Sequence, residues 1–250
     1  MRTIPLLRAL VIIGFFGGLE LLCRTGVIDS FTMQPPTLIA RDLVLLLASG
    51  KLNGAIAKTL GNAAIAMVLA VVIGIIAAAI IHYVGLLRAA LDPLFATYYA
   101  IPVIAFYPML IIIFGLGDAP QIMIAFMLGV VAVVVNTLNG IDKVPRVLLK
   151  SARISRLSEV ETAYKITLPY AAPYIMTGVK LAIAYSLIGI VGSEFIMSSG
   201  GMGFEIAFAY NNFDNKIMYP LIVLVLGVSI SANLLVGLWE KRILVRRGLR

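Results

Sequence analysis

The stretch NGIDKVPRVLLKSARISRLSEVETAYKITLP, Asn139–Pro169, is a long polar run between two apolar ones. Pro145 stands where a helix can begin, since its missing N–H costs nothing there. VLLKSARIS then reads as a short amphipathic helix that presents the small residues Ser151, Ala152 and Ser155 outward. Arg156 and Leu157 make a break. Ser158 caps a second helix, with Glu159 and Glu161 in the first turn, where the helix dipole favours acids. Pro169 is expected to turn the chain back. Two short helices with small outward residues suit docking into a groove on a soluble partner; the same pattern fits a solvated loop with no partner.

Outward from this loop the chain is apolar. Of its 250 residues 61% are hydrophobic, and the mean hydropathy is +1.04. A soluble domain is about 45–50% apolar, so the fitting solvent is a lipid bilayer. Charged residues are 13% of the total and cluster between apolar runs. A net charge of +8 suggests nucleic acid in a soluble protein. Here, with no basic-aromatic nucleic-acid motif, it reads as membrane sidedness.

About 20 apolar residues cross a bilayer, and the chain reads as all-α with about six spans. The first is Ile4–Cys23, with Gly14 and Gly18 at close-packing spacing and Glu20 read as a headgroup-level acid. The apolar start after Arg2 and Arg8 lacks a signal-peptide cleavage pattern and is kept as a span. The single cysteine, Cys23, reads as a buried, inert thiol. Thr37–Gly50 reads as a short amphipathic helix at the membrane surface. The second span is Ala55–Tyr83, in which Gly61 and Asn62 suit a helix neighbour. A short loop holds Arg88, Asp92 and Pro93. The third span is Leu94–Phe114, interrupted by Pro102 and Pro108, either a pathway-lining feature or a packing kink. After the turn Gly115–Pro120, the fourth span is Gln121–Leu138, the fifth Tyr170–Gly192 and the sixth Ile217–Trp239.

The loop bases Lys143, Arg146, Lys150, Arg153, Arg156 and Lys165 and the tail bases Lys241, Arg242, Arg246, Arg247 and Arg250 fall on one side if the spans are even in number. By the positive-inside rule that side is the cytoplasm, with both termini. The segment between the fifth and sixth spans is acidic, through Glu194, Glu205 and Asp214, and fits the outside. Lys58 and Lys180 read as interfacial cations, with attraction of an anion as the alternative.

Enzyme signatures are missing. His82 is the single histidine and reads as interfacial, so neither a Ser-His-Asp triad nor a histidine metal cluster is expected. No H-E-x-x-H, Walker A or G-x-S-x-G pattern occurs. No catalytic residue, metal or cofactor is expected. Energy for uphill transport would come from a partner or an ion gradient.

The loop resembles the E-A-A-x3-G-x9-I-x-L-P motif of permease subunits in binding-protein-dependent ABC importers. Lys150 and Ser151 stand at its first two positions, Ala152 matches the third, Arg156 stands at the glycine, and Ile166, Leu168 and Pro169 match. The glycine would allow an unusual backbone turn, which Arg156 is expected to make differently. Leu91–Ile122, Leu168–Phe195 and Ser198–Ile206 are similar to further stretches of the family's nitrate/sulfonate/taurine branch, so the resemblance covers nearly the whole chain.

This resemblance implies one transmembrane domain, 1–250, of the type I ABC importer permease fold in the cell (inner or plasma) membrane. It implies a homodimer, a cytoplasmic ABC ATPase dimer that binds the ATP, and an extracytoplasmic solute-binding protein. Lys150, Ser151, Ala152, Arg153, Ser155, Arg156, Leu168 and Pro169 would belong to the ATPase-coupling loop, 139–169, and 240–250 would be a basic cytoplasmic tail. The solute, a small organic or inorganic anion or a vitamin precursor, would pass the third and fifth spans by alternating access. Tyr99, Pro102, Tyr107, Pro108, Lys180, Tyr185, Ser186 and Glu194 are the candidates for its walls. A stand-alone channel or an intramembrane enzyme is the alternative.

Overall fold

A computed structural model describes residues 3–246; Arg2, Arg247 and Arg250 lie outside the described residues. Among the described residues every regular element is helical. α1 (Thr3–Arg24) is followed by α2 (Pro36–Ser49), which has proline at its start and Gly50 at φ 67° as its left-handed stop. Glu20 ties the two together. Its carboxylate accepts from the Thr37 N–H at 3.0 Å, the Thr37 hydroxyl at 2.6 Å and Arg24 Nε at 2.6 Å. It thereby satisfies a donor at the open start of α2. Cys23 is half-buried, not buried as expected.

α3 (Asn53–Tyr83) is an apolar helix of 31 residues. Asn62 on it is buried, whereas Gly61 faces open space. α4 (Gly85–Thr97) begins after a single linking residue, Val84. Arg88, Asp92 and Pro93 therefore lie in a helix and not in the expected loop. Arg88 and Asp92, one turn apart, pair at 2.8 Å and support it. The expected third span is not one rod. Short 3₁₀ turns at Tyr98–Ala100 and Val103–Phe106 flank Pro102, and the arm that follows, α5 (Tyr107–Phe114), leaves the line of α4 at 91°. Ile101 is extended, the conformation that a following proline favours. Pro108 sits at the start of α5, where it breaks nothing. Of the two prolines only Pro102 interrupts the chain.

α6 (Asp118–Asp142) leads to α7 (Arg146–Ile154) and α8 (Glu159–Thr162). A π-helical turn, Ala163–Thr167, then joins α9 (Leu168–Met197). Pro169 does not turn the chain back. The Leu168 N–H reaches five residues back to the Ala163 carbonyl, which widens the turn at the place where a proline ring would crowd the preceding turn. The helix from Glu159 to Ile196 is thus one rod of 38 residues. The segment between the expected fifth and sixth spans contains a further helix, α10 (Met202–Asn211), before α11 (Asn215–Arg246). Five helices are long and apolar enough to cross a membrane, and six if the bent pair counts as one span.

The core is α3, α6 and α9, and its largest interface is α6 on α9. Both sides of that interface carry small residues. A Cβ on Gly189 would lie 2.6 Å from Ala125 Cα, one on Gly178 3.1 Å from Val133 Cα, and one on Gly140 2.9 Å from Ala171 Cβ. Gly74 of α3 meets Val133 in the same way, at 2.8 Å from its Cβ. In lipid, helices gain little from excluding water, so close backbone approach through small residues supplies the attraction. α1 and α11 sit outside this core, each with 6% of its apolar window buried.

Gly189→Ala forces the α6 and α9 backbones apart and should cost about 1–3 kcal/mol, read as a lowered thermal midpoint of the detergent-purified protein. Gly61→Ala, with nothing within 4 Å, should leave the midpoint unchanged or raised. Equal behaviour of the two would show that the packing does not depend on this approach.

Candidate functional site

Two ends of the core carry its charge. At the end that bears α7, the loop is fixed by short-range chemistry. Ser158 and Glu161 form a reciprocal capping box: the Ser158 hydroxyl accepts from the Glu161 N–H at 3.2 Å, and Glu161 Oε2 accepts from the Ser158 N–H at 3.0 Å. Lys165 pairs with Glu161 at 2.9 Å one turn on. The Tyr83 hydroxyl donates to the Glu159 carbonyl at 3.1 Å and pins α8 to the end of α3. Arg88 of α4 and His82 of α3 both face Asp142 of α6, at 2.9 and 4.0 Å. A cavity of about 300 Å³ opens between these parts, lined by His82, Tyr83, Leu149, Arg153, Glu159 and Thr167 among others.

Arg156 occupies the left-handed region at φ 52°. It does not make the turn in another way; it adopts the conformation that glycine takes freely, at a cost of roughly 1–2 kcal/mol. Its N–H bonds to the Arg153 carbonyl and that of Leu157 to the Ala152 carbonyl, which close the α7 terminus. Ala152 is 2% exposed, packed within the chain instead of presented outward. α7 also packs on the π-helical turn. Ser151 and Ser155 are exposed, together with Lys150 and Arg153. Val147 and Ile154 are exposed at 74% and 84%. With Lys150 and Ser151 they fall at i, i+3, i+4 and i+7, one face of the helix. The sequence reading looked for small residues and passed over these two, although the helical period marks them.

The candidates for a path fall into separate groups in this single chain. Tyr99 and Tyr185 stack, ring centroids 5.8 Å apart, and join the 3₁₀ turn after α4 to α9. Lys180 pairs with Glu240 on α11. Pro102 and Pro108 are exposed, Tyr107 is buried, and Ser186 is 1% exposed within the packing of α9. Leu168 and Pro169 are half-buried at the start of α9.

At the opposite end, Glu194 is fully buried. Its carboxylate accepts from the Thr59 hydroxyl at 2.7 Å and from the Gly203 N–H at 3.0 Å. Thr59 accepts in turn from the Met202 N–H at 2.7 Å. An acid and a hydroxyl thus cap the start of α10, where free N–H groups and the helix dipole favour negative charge. Gly201, at φ 109°, makes room: a Cβ there would lie 2.3 Å from the carboxylate. Lys58 and Asp118 pair at 2.9 Å beside it. Thr59 lies 135 residues from Glu194 in sequence, and no local signal links the two.

A helical membrane chain with this charged loop leaves its family open until it is compared with known proteins. Residues 70–245 match the model of the binding-protein-dependent transport system inner membrane component. The chain belongs to this family. It is therefore a permease subunit of a binding-protein-dependent ABC importer, a transport protein and not an enzyme by family. The permease is 31% identical over 188 residues to the nitrate import permease protein NrtB of Leptolyngbya laminosa, covering 75% of this chain and 67% of that one. It is 31% identical over 160 residues to the riboflavin transport system permease protein RibX of Chloroflexus aurantiacus, covering 64% and 59%. In fold it is similar to a chain of the MetNI methionine ABC transporter in an inward-facing conformation, with TM-score 0.67, 17% identity, and 77% and 95% of the two chains covered. The expected type I importer permease fold is the observed one.

Thr59→Val in the permease leaves the Met202 N–H and one Glu194 oxygen without their partner, at about 1–3 kcal/mol. Hydrogen exchange across residues 202–211 should quicken while that of α6 stays slow; unchanged exchange would mean that α10 is held by other contacts.

Proposed function

We propose that this permease forms the membrane channel of an ATP-driven importer for a small anion, with α7 as the element that receives the ATPase stroke. The observation that carries this is the outward face of α7. Val147 and Ile154, with Val160 at 74% exposure beyond the turn, form apolar surface on a basic loop that nothing among the described residues covers. Hydrophobic knobs ringed by Lys150, Arg153 and Arg156 suit a groove with an apolar floor and acidic rims. The ATP would be bound by a separate cytoplasmic ATPase pair. The loop, both termini and the basic tail lie in the cytoplasm, in keeping with the positive-inside rule.

The coupling route runs along one helix. α7 packs on the π-helical turn, and that turn continues into α9. Movement of α7 reaches Glu194 at the other end of the same rod, and there shifts the start of α10. A second copy of the chain completes the channel, and an extracytoplasmic binding protein delivers the solute on the side of Glu194 and α10. The nitrate permease among the relatives supports an anion as solute.

Reconstitution of the permease with its ATPase and binding protein should give ATP-dependent uptake, and the permease alone should give none. Flux through the permease alone would favour a stand-alone channel. Ile154→Asp should reduce coupled uptake at least about ten-fold, the scale of one lost interface anchor, while the thermal midpoint stays within a degree or two. Ala152→Glu, by contrast, should lower the midpoint as well, because that side chain is buried. Arg156→Gly should keep uptake and raise stability by up to about 1 kcal/mol, whereas Arg156→Val, β-branched at positive φ, should lower it.

A further inference from the structure

Phe31 and Phe213 stand at the end of the molecule opposite the α7 loop. Phe31 lies in the link between α1 and α2, and Phe213 in the link between α10 and α11. Leu221, early in α11, packs with Met202 and Ile206 of α10, and α10 starts on Glu194, which places both links at the Glu194 end. The two rings stack, with centroids 5.3 Å apart and planes 29° from parallel, and they are 65% and 69% exposed. Hydrogen bonds fix the platform beneath them. The Asn215 side-chain amide donates to the Phe31 carbonyl at 2.7 Å, and the Tyr219 hydroxyl to the Thr32 carbonyl at 2.6 Å. The Asp29 carboxylate accepts from the Phe31 N–H at 2.8 Å. Phe213 is strained. At φ 55° it is the left-handed residue that stops α10, where the N–H groups of Phe213 and Asp214 bond to the Tyr210 and Ala209 carbonyls at 3.1 and 2.8 Å. Glycine takes such a place freely and a bulky residue does not. Burial of the ring within the chain does not offset that strain, and strain kept without such a gain points to function.

Lipid tails do not cover these rings, because both links are irregular backbone, which does not face hydrocarbon. Headgroups suit them poorly. Asp29 and Asp214 flank the rings, with Lys216 the one base beside them; lipid phosphates repel such an acidic rim, and a phenyl ring lacks the polar tip that holds Trp and Tyr at an interface. A second copy meeting the patch about a two-fold axis would set these acids against themselves. A soluble protein with an apolar socket and a basic rim fits both the rings and the charge. The family is one whose transport depends on a binding protein. We propose that the Phe31–Phe213 platform is the surface on which that binding protein docks, through an apolar socket ringed by Lys or Arg. Phe213 ends α10 and Glu194 caps its start, so contact at the rings is one helix of 10 residues away from the buried carboxylate. This rests on the import function proposed above and names the docking surface and the chemistry of its partner.

The test uses the complete transporter in lipid nanodiscs and its own purified, solute-loaded binding protein. The readout is the binding-protein concentration that gives half-maximal stimulation of ATP hydrolysis. Phe31→Asp and Phe213→Asp should each raise it at least about ten-fold, the scale of one lost anchor. Phe213→Gly separates docking from folding. It removes the ring and the strain together, so the thermal midpoint should hold or rise while the half-stimulating concentration still climbs about ten-fold. Asp29→Asn with Asp214→Asn keeps both backbone acceptors and should flatten the salt dependence of stimulation. Phe213→Cys with Cys23→Ser should react with a charged, membrane-impermeant maleimide, and the binding protein should slow that reaction at least about ten-fold. A thiol already unreactive without binding protein, while a cysteine at the exposed Ile154 position reacts, would mean that lipid or a second copy covers the platform and would overturn the proposal. Normal stimulation of the ring variants would overturn it too and leave the import function standing. A parent transporter that no concentration of binding protein stimulates would count against both.

Discussion

Close approach of α6 and α9 is the constraint on which the other elements depend. Gly189 on Ala125, Gly178 on Val133 and Gly140 on Ala171 bring two backbones together along the whole depth of the core. α3 joins through Gly74, and the three helices then fix every charged group by register. Lys58 meets Asp118, His82 and Arg88 meet Asp142, and Thr59 meets Glu194 because the rods cannot slide. Bulkier residues at these crossings would shift all those pairs at once.

The loop was legible because its signals are local. A capping serine with a glutamate three residues on, a proline at a helix start and a break at Arg156 each act within one turn, and each is found in place. The spans were legible from apolar length. What lay beyond the sequence was what depends on partners far along the chain. The direction taken at Pro102, the pairing of Thr59 with Glu194 and that of Lys180 with Glu240 require the register of packed helices. α10 was missed for another reason: glycines at 200, 201 and 203 are poor helix formers, yet Gly201 and Gly203 are needed for the helix start to approach Glu194. Pro169 misled in the opposite sense, since a π-helical turn absorbs it.

The candidate site was half visible. The loop keeps the spacing of the family's motif, with Lys150, Ser151 and Arg156 in place of three of its residues, while the outward face belongs to Val147 and Ile154, which the motif does not name. The motif residue Ala152 serves the chain's own packing, buried at 2% exposure. Arg156 shows that backbone shape, more than residue type, is what the motif's glycine position preserves: the left-handed turn is retained at the expense of local strain.

The rod from Glu159 to Ile196 spans about 57 Å, more than the bilayer's hydrocarbon thickness. Its two ends share one body, so energy flows along it in either direction. If nucleotide at the loop end favours one seating of Glu194 and α10, then a ligand that favours that seating must tighten nucleotide binding by the same free energy. A loaded binding protein arriving at one face would thus be reported at the other before any solute had crossed.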